Sequence, residues 1–382
     1  MSVNKITGNI SVAAATATLC WATDAAADFK LNMTPGITQT SRMVYDLHMK
    51  ALWMVTIIGA IVFAVMLYSL AAHRKSKGVE PAKFHHSTRL EILWTIIPII
   101  ILVAFAFPAT RTLITMEETG DAGMTVKITG YQWKWRYDYL DEDFGFFSSL
   151  APDSSAAAQL DSGVDVTKVD HYLLDVDHPL VIPVNMKVRL ITTSSDVIHS
   201  WWVPSLGWKR DAIPGFINDN WTEIDRPGIY RGQCAELCGQ GHGFMPIVVK
   251  AVSGEQYAAW VKQMKVAQAE AAAGVDREWT RDELMERGQQ VYSTACVACH
   301  QANGQGLPPA FPPLTGSAIT TGPVGEHINI VLHGRPGTVM QAFGEQLNAA
   351  DLAAVITYER NALGNSVGDM VQPSDIKAAL QQ

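Results

Sequence analysis

Residues Gln233–Met245 read "QCAELCGQGHGFM" and hold two thiols, an imidazole and a thioether among small turn-forming residues. The stretch lies between "GIYRG" and "PIVVK", two short apolar runs of strand character, so it is a loop closing two strands. Spacing alone leaves a disulfide open for Cys234 and Cys238. The neighbourhood points elsewhere, because His242 and Met245 follow and His199 stands at a strand end in "DVIHSWWVP". Thiolate, imidazole and thioether on a β framework are soft donors, which select copper over zinc or magnesium. A single blue-copper ion needs one Cys, and here one thiolate is surplus. Two thiolates can bridge two copper ions, each then needing one imidazole and one weak donor. His199 and His242 supply the imidazoles, Met245 one weak donor, and a carbonyl inside the loop can supply the other.

Working outward, "YQWKWRYDY" (131–139) alternates aromatic and polar residues and predicts a strand with one aromatic face. "HYLLDV", "HPLVIPVN", "KVRLITTS" and "MPIVVKAV" continue as short strands between turn signals, which predicts a β-sandwich or barrel over 122–252. Within it, 141–170 is acidic, rich in Ser and Ala, and reads as a surface insertion. Residues 253–279 are Ala/Gln/Lys-rich and read as a helical linker. An all-α domain follows over 280–365, then a polar tail over 366–382.

The N-terminal third has a different texture. The chain is 48% hydrophobic, high for a soluble protein, and two uncharged apolar runs at about 51–72 and 92–113 are long enough to cross a bilayer. They form a transmembrane hairpin within 28–115. Arg74, Lys75, Lys77, Lys83 and Arg89 in the loop between them outnumber Glu80 and Glu91, so the loop is cytoplasmic and both termini are periplasmic. Residues 1–27 carry Lys5, an apolar stretch and a closing run of alanines, the pattern of a signal peptide. Cys20 then leaves with it or, in a lipoprotein, carries a lipid, although Leu19 before it is bulky for that use. A net charge of −8 argues against a nucleic-acid partner.

"CVACH", Cys296–His300, is the C-x-x-C-H signature of c-type haem attachment, with His300 as proximal iron ligand. A zinc site would need two more ligands at matching spacing, and a thioredoxin-like pair would need a βαβ setting. For the sixth iron ligand Met340, Met370, His327 and His333 are available downstream. "GRPGTVMQAFGEQL" with the following helix resembles the Met loop and closing helix of class I cytochromes c, which selects Met340 and raises the potential. "GLPPAFPPLTG" reads as the Pro-rich wall of a haem crevice, and Tyr358 as a packing residue.

"VIHSWWVPSLGWKRDAIPGFIN" and "RPGIYRGQCAELCGQGHGFMPIVV", with "LEILWTIIP" and "YQWKW", resemble subunit II of the haem-copper cytochrome c oxidases, over most of 31–252. The resemblance implies a cupredoxin-like fold for the β-sandwich or barrel of 122–252, and a dinuclear CuA centre on His199, Cys234, Cys238, His242, Met245 and the carbonyl of Glu236. It also implies a magnesium site, shared with subunit I, that the Glu236 carboxylate faces. Trp133 matches the tryptophan that receives electrons beneath the exposed edge of CuA, while Lys134 departs from the aromatic often found beside it. Glu91 matches a glutamate at the cytoplasmic mouth of a proton channel in subunit I. Quinol oxidases of the superfamily lack the copper ligands, so a cytochrome c or another periplasmic protein is the implied donor.

The expected molecule is subunit II of a bacterial inner-membrane cytochrome c oxidase with a fused cytochrome c domain. It passes electrons from haem through CuA to subunit I, where dioxygen is reduced, with proton translocation coupled in the complex. Subunit I is an obligate partner, subunit III and membrane lipid further ones. A two-span chain whose His85 and His86 lie in the loop cannot enclose the family's buried haems itself. A membrane-anchored shuttle to another reductase and a copper-delivery module remain as alternatives. The hairpin and Glu91 favour oxidase assembly over the first, and the haem signature speaks against the second.

Overall fold

The computed structural model describes residues 32–78, 80, 83, 85–274 and 277–381. The expected signal peptide and Cys20 lie outside the described residues. Helices α1 (Gln39–Ala72) and α2 (Thr88–Glu117) form the hairpin. Their apolar side chains are exposed all round, Phe63 and Trp94 among them, the pattern of helices whose natural surroundings are hydrocarbon. Each helix outruns the apolar stretch read from the sequence, because its outer end docks on the β domain. Thr38 caps α1 by accepting from the Ser41 amide, and its hydroxyl donates to the Leu206 carbonyl at 2.9 Å. The Trp221 indole donates to the Thr115 carbonyl at 3.1 Å. The hairpin is therefore joined to the β domain by hydrogen bonds as well as by the chain.

The β domain comprises β1 (Met124–Tyr131), β2 (Lys134–Tyr139), β3 (Phe144–Ser148), helix α3 (Pro152–Ala157), β4 (Leu180–Pro183), β5 (Val188–Ser194), β6 (His199–Val203), β7 (Trp208–Ala212), β8 (Asn218–Thr222), β9 (Gly228–Cys234) and β10 (Pro246–Val252). They make two five-stranded sheets, ordered β3-β2-β1-β5-β8 and β4-β10-β9-β6-β7. Alternating residues such as Val126, Ile128, Leu190, Trp201 and Ile247 are fully buried between the sheets, as the period of two requires.

Several segments differ from the sequence reading. "YQWKWRYDY" is a hairpin: Tyr131 pairs with Lys134, leaving Gln132 and Trp133 as the turn between β1 and β2. Trp135 and Tyr137 point into the core, while Trp133 stands at the turn. "HYLLDV" is no strand, because His171 and Leu173 take left-handed backbone angles (φ 50° and 58°) that no strand accommodates. The 141–170 insertion contributes β3, which pairs with β2, and α3.

Helix α4 (Gly254–Gly274) fills the linker and lies on the sandwich, with Val261 buried and Trp260 against Tyr139 at a centroid distance of 5.2 Å. The α domain holds α5 (Arg281–Ala295), α6 (Val297–His300), α7 (Ala318–Thr321), α8 (Val324–His333), α9 (Ala349–Asn361) and α10 (Pro373–Leu380). Helix α5 starts with a capping box between Thr280 and Glu283 and crosses α9 at Gly288. A Cβ there would meet the Ala354 carbonyl oxygen at 2.2 Å, so only glycine permits that approach. The C-terminal segment is no surface tail: Val371 and Ile376 are buried in this domain's core, because α10 offers an apolar side at helical spacing.

Candidate metal centre and haem cavity

The loop after β9 folds back over the end of β6, bringing together residues far apart in the chain. The Cys234 and Cys238 sulfurs are 3.8 Å apart, beyond the roughly 2 Å of a disulfide. The Glu236 carbonyl lies 3.4 Å from the Cys234 sulfur. Nδ1 of His199 lies 4.0 Å from the same sulfur. On the other side, Nδ1 of His242 and the Met245 thioether each lie 3.5 Å from the Cys238 sulfur. His199, Cys234, Cys238 and Met245 are buried, whereas the Glu236 side chain and Leu237 face outward. The donors thus converge around two sulfurs as two half-sets, each with one imidazole and one weak donor. Proton sharing with Cys238, and contact with His199, hold the Cys234 thiol well below its usual range. The same sharing, together with burial, pushes Cys238 up. A set of soft, buried donors with one thiolate already favoured is chemically suited to copper.

Three residues that the sequence reading passed over support this centre. Oδ1 of Asp196 lies 2.9 Å from Nε2 of His199, which fixes the ring so that Nδ1 faces the sulfurs. Gly130 leaves room for that ring: a Cβ there would sit 2.6 Å from His199 Cδ2. Gln132 donates to the Cys238 carbonyl at 2.9 Å. The signal for Asp196 was available, as a carboxylate three residues before an imidazole ligand.

Trp133 donates its indole N–H to the same Cys238 carbonyl at 3.1 Å. Its ring lies over Gly241, where a Cβ would approach within 2.3 Å. The opposite side of Trp133 reaches the α domain, meeting Phe311 edge-on with centroids 6.3 Å apart. There a cavity of about 340 Å³ opens, lined by Cys296, Cys299, His300 and Met340 from the α domain and by Trp133 and Lys134 from the β domain. Nδ1 of His300 is 3.1 Å from the Pro312 carbonyl, so its N–H is directed there and Nε2 is left for the cavity. Burial pushes the Cys296 and Cys299 thiols up, the latter to about 11. Of the other sixth-ligand candidates, Met370 is exposed and His333 does not line the cavity. His327 lines it, but its Nε2 is 2.9 Å from the Glu359 carboxylate. The residues present fit a haem: two thiols, a tautomer-fixed imidazole and a thioether around one largely apolar space.

Glu91 lies in the first turn of α2, at the loop end of the hairpin and remote from both sites.

Family comparisons agree with this layout. The model of the periplasmic domain of cytochrome c oxidase subunit II matches residues 124–252, and that of its transmembrane domain matches 26–112. A model of cbb3-type cytochrome c oxidase subunit III matches 283–358. A probable cytochrome c oxidase subunit 2 of Rickettsia bellii is 40% identical over 234 residues, covering 61% of this chain and 83% of the relative. The chain belongs to the cytochrome c oxidase subunit II family. The subunit 2 of Cereibacter sphaeroides is 38% identical over 239 residues, 60% of this chain and 79% of the relative. The crystal structure of the periplasmic domain of subunit II from Bradyrhizobium japonicum is 39% identical and covers 39% of this chain and 98% of its own, with a TM-score of 0.34. This subunit II is thus part of an oxidase complex, anchored by two apolar helices and extended by a cytochrome c domain.

Proposed function

We propose that this subunit II relays single electrons from its own covalently attached haem c, through a dinuclear CuA centre, to subunit I of a haem-copper oxidase. His199, Cys234, Cys238, His242, Met245 and the Glu236 carbonyl would hold two copper ions; Cys296 and Cys299 would carry the haem, with His300 and Met340 as iron ligands. Bound there, these groups supply one-electron carriers. The chain's own residues provide a dry, prearranged setting for them. Asp196 orients the His199 imidazole and the Pro312 carbonyl that of His300, and burial of Cys234 and Cys238 keeps water from the sulfurs.

The observation that carries this reading is the position of Trp133, hydrogen-bonded to the copper loop on one side and walling the haem cavity on the other. Electrons therefore have a short aromatic bridge between the two sites. The outward-facing Glu236 is suited to a magnesium ion at the subunit I boundary. Glu91, at the cytoplasmic end of the hairpin, is suited to proton delivery into subunit I, whose turnover drives proton translocation. A subunit III, a soluble cytochrome c as upstream donor, and an inner-membrane setting with both soluble domains in the periplasm complete the proposal.

Metal analysis of the chain separated from any larger subunit tests it: two coppers and one covalent haem per chain are expected, with haem retained after denaturation. A single copper overturns the dinuclear assignment. Failure to recover a larger haem-copper subunit with the chain overturns the oxidase reading in favour of a free shuttle.

A further inference from the structure

Gln341 directly follows Met340 and lines the same cavity, and its side chain reaches across to the β domain. Its Nε2 donates to the Gln132 carbonyl at 2.7 Å and to Oδ2 of Asp196 at 3.2 Å. Asp196 also accepts the Gln132 amide at 2.7 Å on Oδ2, the Val197 amide at 2.7 Å on Oδ1, and bonds His199 through Oδ1. Gln132 in turn donates to the Cys238 carbonyl. One amide side chain from the methionine loop of the α domain thus closes a hydrogen-bonded ring with the two groups that hold His199 and the Cys238 loop in place. Among the described residues, the other polar tie from the insertion to this side of the α domain is the Ala302 amide donating to the Gln159 side chain at 3.2 Å.

We propose that Gln341 is a positioning residue that registers the haem domain on the copper rim. By doing so it commits Trp133 to the chain's own haem domain in place of a soluble donor. The inference rests on the relay reading above. Its physical basis is that the Asp196 carboxylate and the Gln132 carbonyl both present oxygens to the seam between the domains, and one amide of the fused domain donates to both. With the domain seated, Lys134 is buried beneath Phe343 and Trp133 is partly covered by Phe311, so the fused domain occupies this approach to Trp133. A soluble donor must then deliver its electron to the haem domain.

Two substitutions separate hydrogen-bond donation from packing. Gln341→Leu keeps the volume without the donor; Gln341→Glu places a second carboxylate against Asp196. In the intact oxidase, electron transfer from haem to copper should slow in the order wild type, Leu, Glu, with at least about a tenfold loss in the Glu variant, the size expected for a lost charge-assisted hydrogen bond. Hydrogen exchange at 131–134 and 340–346 should rise together in the same order, whether or not copper is loaded. Equal behaviour of the Leu and Glu variants, or unchanged exchange in both, overturns the proposal. Should the wild type hold one copper, the relay reading fails, while the exchange experiment still decides whether Gln341 seats the domain.

Discussion

Lys134 is a cation sealed in the wall of the haem cavity, and burying it has a measurable consequence. It is 8% exposed, enclosed between the rings of Phe147 at 4.6 Å and Phe343 at 5.0 Å. Burial pushes its ammonium down from the ordinary 10.5 to about 8. A gap of that size corresponds to a penalty of about 3 kcal/mol on the folded state wherever the amine is charged in both states. The single ammonium, shared between the two ring faces, regains about 2 kcal/mol at this desolvated site. Lys134→Met should therefore stabilise the chain by about 1–2 kcal/mol at pH 7, a Met filling the same space without the charge. Below pH 8 both states of the wild type are protonated and the penalty is complete. Between pH 8 and 10.5 the folded state releases its proton first, so wild-type stability climbs with pH relative to the variant. The advantage of Met should shrink by about 3 kcal/mol by pH 10 and vanish or reverse. Urea unfolding of the solubilised chain and of the variant, at pH 7 and pH 10, measures this, because the difference between the two cancels every other titrating group. A Lys134→Met chain less stable than wild type at pH 7, with no change at pH 10, would refute the burial argument and imply an anionic partner for the amine.

Gly130→Ala should force the His199 ring to move, since the new Cβ falls 2.6 Å from its Cδ2; copper content should drop and stability fall by about 1–3 kcal/mol, read by metal analysis and thermal unfolding. Gly241→Ala pushes a Cβ to within 2.3 Å of the Trp133 ring and should slow haem-to-copper transfer while leaving two coppers bound, checked by rapid-mixing spectroscopy beside metal analysis. His327→Leu strips the buried Glu359 of its 2.9 Å partner and should cost about 3 kcal/mol, whereas a double change to apolar residues should recover most of that; a double-mutant cycle on thermal unfolding decides it.

Much of the molecule is legible in local chemistry. Two long uncharged runs can do little but form apolar helices, and alternating residues such as Val126 and Ile128 have to face one side of a strand. The cysteine pairs stand out because their partners, His242 with Met245 and His300, sit within the same few residues. Other parts depend on turns that pattern alone does not reveal. "YQWKW" alternates like one strand, yet the chain reverses at Gln132 and Trp133, so aromatics of identical spacing end in opposite surroundings. The left-handed backbone at His171 and Leu173 breaks a predicted strand in the same way. Val371 and Ile376 looked like scattered apolar residues in a polar segment because the surface they cover, on α8 and α9, is presented only after the chain turns back between α9 and α10.

The sequence by itself determined the donors, the spans and the two soluble folds, since ligand type, apolar run length and strand period are properties of neighbouring residues. Tertiary structure alone decided that the haem cavity faces the copper loop, with Trp133 between them and Gln341 tied to Asp196. Such contacts join residues far apart in the chain, 145 positions in the last case. No periodicity encodes them; they exist only once burial of apolar surface has brought two separately folded domains together and left their polar groups to find partners.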